Sequence, residues 1–243
     1  GLFHLTDTIK NGKPEGLKEL GNWKTIYEGL TRLDPKVKNS WFEFDHHYSD
    51  RAFGDALDIV FRKKPYNIFD IGGNTGKFAL SCCQQDPDVN ITIFDLPKQL
   101  EIALNQAKKN GYENRIKVQD IDWLESRGDL PKGADVIWMS QFLDCFSKME
   151  IIEILKTCSS AMDQDTELMI METFTDRQKF KSAKYILQAT SLYFATMANG
   201  NSKMYSAEEM KQIVQAAGLK VVEDINLPSE YHTILVCKKE NRN

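Results

Sequence analysis

The residues best placed to do chemistry are three acids and a cluster of glycines. Asp70 ends the apolar run YNIFDI and is followed by Gly72, Gly73, Asn74 and Gly76. Asp95 ends a second such run in FDLP, and Asp122 follows a third in DIDWLE. Glycines between a strand and a helix let backbone come close to a ligand. A carboxylate at a strand tip can accept from both hydroxyls of a ribose, and one farther along can accept from an adenine amino group. Trp123 beside it offers an aromatic face to a base.

Several ligands compete for such a turn. A P-loop requires G-x-x-x-x-G-K-[ST], but Ile71 stands where the first glycine belongs and Phe78 follows Lys77. A dinucleotide turn requires G-x-G-x-x-G. Counting from Gly72, its later slots hold Asn74 and Lys77, which argues against an NAD-dependent oxidoreductase. The spacing that fits is acid-x-G-x-x-x-G. With acids after three successive strands, it describes a pocket for adenosine without pyrophosphate. S-adenosylmethionine is such a ligand, with Asp70 and the turn facing its amino-acid end, Asp95 and Leu96 at the ribose, and Asp122 and Trp123 at the base.

The elements that must hold these residues follow from periodicity. Apolar runs at 66–71, 90–96, 115–119, 134–140 and 166–173 alternate with helical patterns, and two more runs, KVVEDINL and YHTILVCKK, close the chain. Strands alternating with helices imply a mostly parallel sheet covered on both faces. Pro228-Ser229-Glu230 is too short for a crossover, so the last two strands should be antiparallel. Ser147 with Glu150, and Ser206 with Glu209, are capping boxes that start two of the helices. Residues 178–198 carry the pattern of one long helix. Residues 1–62 are helical or irregular, with an aromatic-rich segment, WFEFDHHYSDRAF, at 41–53.

Composition narrows the function. The chain has 243 residues and a net charge of −4, with no basic stripe, so nucleic acid is an unexpected partner. Arg62-Lys63-Lys64 is expected to be a solvated face. No apolar run approaches the ~18 residues of a membrane span, and the first residues lack the features of a signal peptide. The five cysteines are odd in number and form no CxxC, so neither a disulfide framework nor a zinc site is expected. Buried thiols in a reducing cytoplasm fit instead. Gly1 in place of Met points to a piece of a longer polypeptide.

DIGGNTG (70–76), TIFDLP (92–97), RIKVQDIDW (115–123), GADVIWMSQFLDCFS (133–147), LMIMETF (168–174) and AAGL (216–219) together resemble the class I S-adenosylmethionine-dependent O-methyltransferases of the caffeate and acetylserotonin type. The resemblance implies an α/β fold, a Rossmann-like seven-stranded sheet with helices on both faces and an antiparallel last strand, preceded by a short helical segment. Residues 1–62 would be a helical linker and acceptor-wall segment, and residues 63–243 the methyltransferase domain. An upstream dimerisation domain usual in the family is not in this sequence, and with it a homodimer is implied. The implied acceptor is a small aromatic hydroxyl, the implied product S-adenosylhomocysteine.

The proton-handling residues depart from the family. Asp144 holds the position of its usual His base, Phe146 that of a Trp, and Ser140 that of a cofactor-contacting Lys. Glu172 matches the acid that orients the base, while Met204 replaces a second supporting acid. A His near ~6.5 is a better base for a phenol near ~10 than an Asp near ~3.9. Asp144 would serve if burial raised its pKa, or if the acceptor were already acidic. His46 and His47 are further candidates, His46 matching a family residue that faces the substrate. The same departures leave room for methylation at a ring carbon, or for a protein that holds the cofactor and has lost catalysis. Leu192, Phe194, Met197 and Met204 form an apolar stripe suited to core or acceptor wall.

Overall fold

In the computed structural model, described here for residues 1–49, 51–124, 129–228 and 231–240, the chain starts with short helices. They are α1 (Leu5–Asn11), α2 (Ile26–Gly29), α3 (Pro35–Ser49) and α4 (Phe53–Val60). Strands and helices then alternate: β1 (Asn67–Ile71), α5 (Lys77–Gln85), β2 (Asn90–Asp95), α6 (Pro97–Lys109), β3 (Ile116–Asp120), β4 (Val136–Ser140), α7 (Lys148–Ala161), β5 (Glu167–Glu172), α8 (Lys181–Tyr193), α9 (Ala207–Ala216), β6 (Leu219–Asn226) and β7 (Thr233–Lys239).

The strands form one sheet in the order β3-β2-β1-β4-β5-β7-β6. β1 to β5 are parallel, and β7 runs antiparallel to both β5 and β6. This is the expected α/β architecture with an antiparallel end. Most residues of β1, β4, β5 and β7 are buried, and their central residues are apolar because both faces of the sheet are covered. Ile68, Trp138, Met169 and Val236 face the side packed by α4, α5 and α6. Ile71, Met139, Ile170 and Leu235 face the side packed by α7 and α9. Both capping boxes form: Ser147 and Glu150 exchange hydrogen bonds at the start of α7, and Ser206 and Glu209 at α9.

Two expectations need correction. The pattern over 178–198 is not one α-helix; α8 ends at Tyr193 and a π-turn covers Phe194–Ala198. There the Thr196 hydroxyl donates to Leu192 O at 2.6 Å, giving the backbone carbonyl a partner outside the regular ladder. The basic run at 62–64 is also more than a solvated face. Lys63 Nζ lies 2.6 Å from the buried Glu167, and Arg62 bridges Glu167 at 3.4 Å and Glu223 at 2.6 Å. A carboxylate at the buried start of β5 needs such partners. Ser229 and Glu230 lie outside the described residues.

The order of strands reverses between β1 and β4, each neighbouring the other while their crossovers leave in opposite directions. Such a switch point opens a crevice beyond the strand ends. The N-terminal helices close over it. Leu17, Ile26, Leu30 and Leu33 bury against Ala198 of the π-turn, with Trp41, Tyr193 and Phe194 beside them.

Candidate active site

A cavity of about 310 Å³ lies at the switch point. Asp70, Gly72, Gly73, Asn74, Asp95, Leu96, Asp122, Trp123, Ser140 and Asp144 all line it. Glu172 stands behind, 3 % exposed. His46 and His47 lie on α3, but their side chains lie outside the described ones.

At one end the turn after β1 is fixed by Asp95. Its Oδ2 accepts the Asn74 N–H at 2.8 Å and its Oδ1 the Leu96 N–H at 2.6 Å. Each carboxylate oxygen keeps a second lone pair, so two further donors fit. Asp70 is 2 % exposed, and its Oδ2 has no hydrogen-bond partner among the described residues. Burial, reinforced by the Asp95 charge, pushes the Asp70 carboxyl up to about 8. Burial also raises Asp95, to about 6, against the pull of the Leu96 and Asn74 N–H groups. A dry, unpartnered carboxyl with a second one beside it is a site prepared for a cation and for hydroxyl donors.

The glycines have definite reasons to be glycine. Gly72 has φ +70°, and a Cβ there would lie 2.2 Å from the Phe142 ring. A Cβ on Gly73 would lie 2.6 Å from Asp70 Oδ2. The close approach these residues allow is thus made first by the protein's own wall and carboxyl. Asp122 accepts the Leu124 N–H at 2.9 Å and stands at the cavity edge. Trp123 is buried, packs edge-on to Phe142 at 6.0 Å between centroids, and has an indole N–H with no partner among the described residues. The Ser140 hydroxyl is buried in the same way.

A second group of acids is the pair Asp144, which lines the cavity, and Glu172. Asp144 sits in a short 3-10 turn, Leu143–Cys145, and is 8 % exposed. Glu172 Oε1 accepts the N–H groups of Phe142 at 3.1 Å and Leu143 at 2.9 Å, which fixes that turn. Burial, then the Asp144 charge, pushes the Glu172 carboxyl well above the usual range. Asn199, after the π-turn, donates to Cys145 O at 2.5 Å, and the Tyr205 hydroxyl donates to Phe146 O at 2.8 Å. The loop carrying Asp144 is therefore pinned from three sides.

Sequence reasoning missed several lining residues. Thr25, Tyr27 and Leu30 enter from the N-terminal helices, and no local pattern marks them, whereas Trp41 belongs to the aromatic-rich segment 41–53. Gln99, 6 % exposed on α6, and Gln141, with φ +48°, also line the cavity. Phe142 adjoins the loop singled out for Asp144, so proximity in sequence was the one available signal. Of the apolar stripe, Phe194 and Met204 line the cavity, while Leu192 is 39 % exposed. Among the described residues there is no cluster of metal-binding side chains, and no helix is long and apolar enough to cross a membrane.

Comparison with known proteins places this geometry among relatives. A family model described as an O-methyltransferase domain matches residues 3–220. The O-methyltransferase SfmM3 of Streptomyces lavendulae is 25% identical over 76% of this chain and 56% of its own length. Demethylspheroidene O-methyltransferase of Rhodobacter capsulatus is 25% identical over 83% of this chain and 48% of its own. The chain thus spans about half the length of these curated relatives. Among solved structures, NcsB1, an O-methyltransferase from neocarzinostatin biosynthesis in complex with S-adenosylmethionine and 2-hydroxy-5-methyl naphthoic acid, superposes with a TM-score of 0.75. It is 20% identical, over 98% of this chain and 68% of that one. At that identity the likeness is one of fold.

Proposed function

This chain belongs to the O-methyltransferase domain family, and on that premise we propose that it transfers a methyl group from S-adenosylmethionine to a hydroxyl of a small aromatic acceptor. The observation that carries the proposal is one cavity lined by two kinds of acid. Asp70, Asp95 and Asp122 come from the ends of successive strands, and Asp144 from a turn that Glu172 holds through the Phe142 and Leu143 amides.

The residues fit the donor. Asp95 keeps two free lone pairs for ribose hydroxyls, Asp70 offers a buried carboxyl to a cation, and Trp123 a face to adenine. When bound, the donor supplies an electrophilic methyl on a sulfonium, and S-adenosylhomocysteine remains. The protein then needs to align, keep water out and take one proton. Trp123, Phe142 and Phe146 wall the reacting region with apolar surface. Asp144 would take the acceptor's hydroxyl proton as that oxygen accepts the methyl group. Glu172 holds Asp144's loop through the Phe142 and Leu143 amides.

Asp144 in place of a His suits an acceptor whose hydroxyl is already acidic. Met204, buried and lining the cavity where a second supporting acid would stand, favours a second reading, a protein that binds the cofactor without turning it over. Transfer of labelled methyl to a panel of phenols separates the two, since transfer to none of them supports the second. We propose a cytoplasmic location, and a homodimer when an upstream domain is present.

A further inference from the structure

The Tyr27 hydroxyl is buried and makes no well-formed hydrogen bond among the described residues, the Cys145 thiol being the weak polar group that engages it. Its ring packs beside the cluster of Leu17, Ile26 and Leu30, which holds it on the single-turn helix α2. It lines the cavity from one of the N-terminal helices. Its neighbours are the Cys145 thiol, the Asp144 carboxyl and Tyr193, and Cys145 Sγ donates to Asp144 Oδ1 at 3.5 Å. Tyr27, Cys145 and Asp144 are thus contiguous along one edge of the acceptor end. A buried hydroxyl without a partner costs stability unless a ligand satisfies it.

We propose that Tyr27 selects the acceptor: it donates a hydrogen bond to a neutral carbonyl oxygen on the ring carbon next to the hydroxyl that meets Asp144, so the substrate class is an ortho-hydroxyaryl carbonyl compound. This rests on the methyltransferase reading above and goes beyond it in naming the acceptor's second functional group. Burial, followed by Cys145, Asp144 and Tyr193, raises the Tyr27 hydroxyl well above its ordinary range, so it acts as a donor and wants an accepting oxygen. Asp144 and Glu172 nearby disfavour a carboxylate there and favour an uncharged carbonyl. Cys145, which engages Tyr27 and lies 3.5 Å from Asp144 Oδ1, links the two groups, and that short link suits oxygens on adjacent carbons better than oxygens across the ring. A hydrogen bond to a carbonyl conjugated with the ring also withdraws charge from the developing phenolate, which lets a carboxylate serve as the base.

The test measures binding separately from transfer. Affinities of ortho- and para-hydroxyacetophenone are compared in the presence of S-adenosylhomocysteine, for the parent and Tyr27→Phe. The parent should bind the ortho isomer about tenfold more tightly, the value of one hydrogen bond in a dry site. Tyr27→Phe, which keeps the ring, should shrink that preference to within about twofold. A parent without the preference, a variant that retains it, or a parent that binds neither isomer would overturn the assignment, and the parent's own preference decides even if the variant fails to fold. Ortho-selective binding without methyl transfer removes the proposed reaction but upholds Tyr27. Methyl transfer without ortho selectivity removes the role of Tyr27 but upholds the reaction.

Discussion

Asp70 of β1 and Asp95 of the adjacent β2 influence each other electrostatically, yet only Asp95 has both oxygens bonded by backbone N–H groups, one from the turn after β1 and one from its own successor. Asn74 and Leu96 donate to Asp95, while Asp70 Oδ2 is buried with no partner among the described residues. The Asp95 charge adds to burial in holding the Asp70 proton, up to about pH 8. The pair is electrostatically unfavourable in the free protein, a cost that a bound cation would relieve.

That arrangement couples donor binding to a proton. Below about pH 8 the free protein holds Asp70 neutral. A cationic ligand favours the ionised form, so binding releases the proton and affinity rises with pH. Between pH 6 and 7.5 we expect affinity for S-adenosylmethionine to climb by up to about tenfold per unit. Calorimetry in buffers of different ionisation enthalpy should show a proton released by the parent and none by Asp70→Asn. A pH-independent affinity with no released proton would refute the coupling.

The same carboxyl sets a pH dependence of stability. Its folded-state pKa of about 8 lies above the unfolded value near ~3.9. Between these values the folded state binds more protons, so the stability present at low pH is lost as pH rises through about 8. Asp95, raised to about 6, contributes in the same sense over a narrower window. Asp70→Asn should flatten urea-measured stability between pH 5 and 8. At pH 8 it should leave the apo protein more stable by on the order of 1–3 kcal/mol. Parallel curves for the two proteins would argue against it.

Asp144→Asn removes the proposed base while keeping shape. We expect kcat to fall by about 10²–10⁴-fold, with affinity for S-adenosylhomocysteine changed less than about twofold because Asp144 stands at the acceptor end. A variant with parental kcat would assign the base elsewhere.

Glu172 should act through the loop it holds. Glu172→Gln keeps an oxygen for the Phe142 and Leu143 amides, whereas Glu172→Ala leaves both buried donors unmet. The alanine variant should lose about 1–3 kcal/mol of stability per unmet group at most. The glutamine variant should retain most stability. Equal losses would mean that charge, not the hydrogen bonds, sets the role of Glu172.

Local features of the chain made the donor end legible. Asp70, Gly72, Gly73, Asn74 and Asp95 lie within short runs whose spacing ties them to strand tips, and strand-tip residues converge in any parallel sheet. Both capping boxes and the antiparallel last pair are equally local signals. Of the residues proposed to meet the acceptor, Asp144 and Glu172, Phe194 and Met204 of the apolar stripe, and Trp41 of the aromatic segment were legible, and Tyr27 and Thr25 were not. These two reach the cavity across more than a hundred residues of sequence, through packing of the N-terminal helices on the π-turn. The π-turn itself was hidden because Phe194–Ala198 continues the apolar period of α8, and the departure depends on side-chain bonds of Thr196. The ion pairs of Arg62 and Lys63 depend on Glu167, a partner remote in sequence.

The tips of β1, β2 and β3 are proposed to hold one nucleoside bearing a sulfonium, and titration of the parent and of Asp95→Ala with S-adenosylhomocysteine and with NADH tests this. The parent should bind the homocysteine compound and not the dinucleotide. Losing Asp95's acceptors should weaken that binding by about tenfold or more. Binding of NADH in preference, or an Asp95→Ala variant with parental affinity, would contradict it.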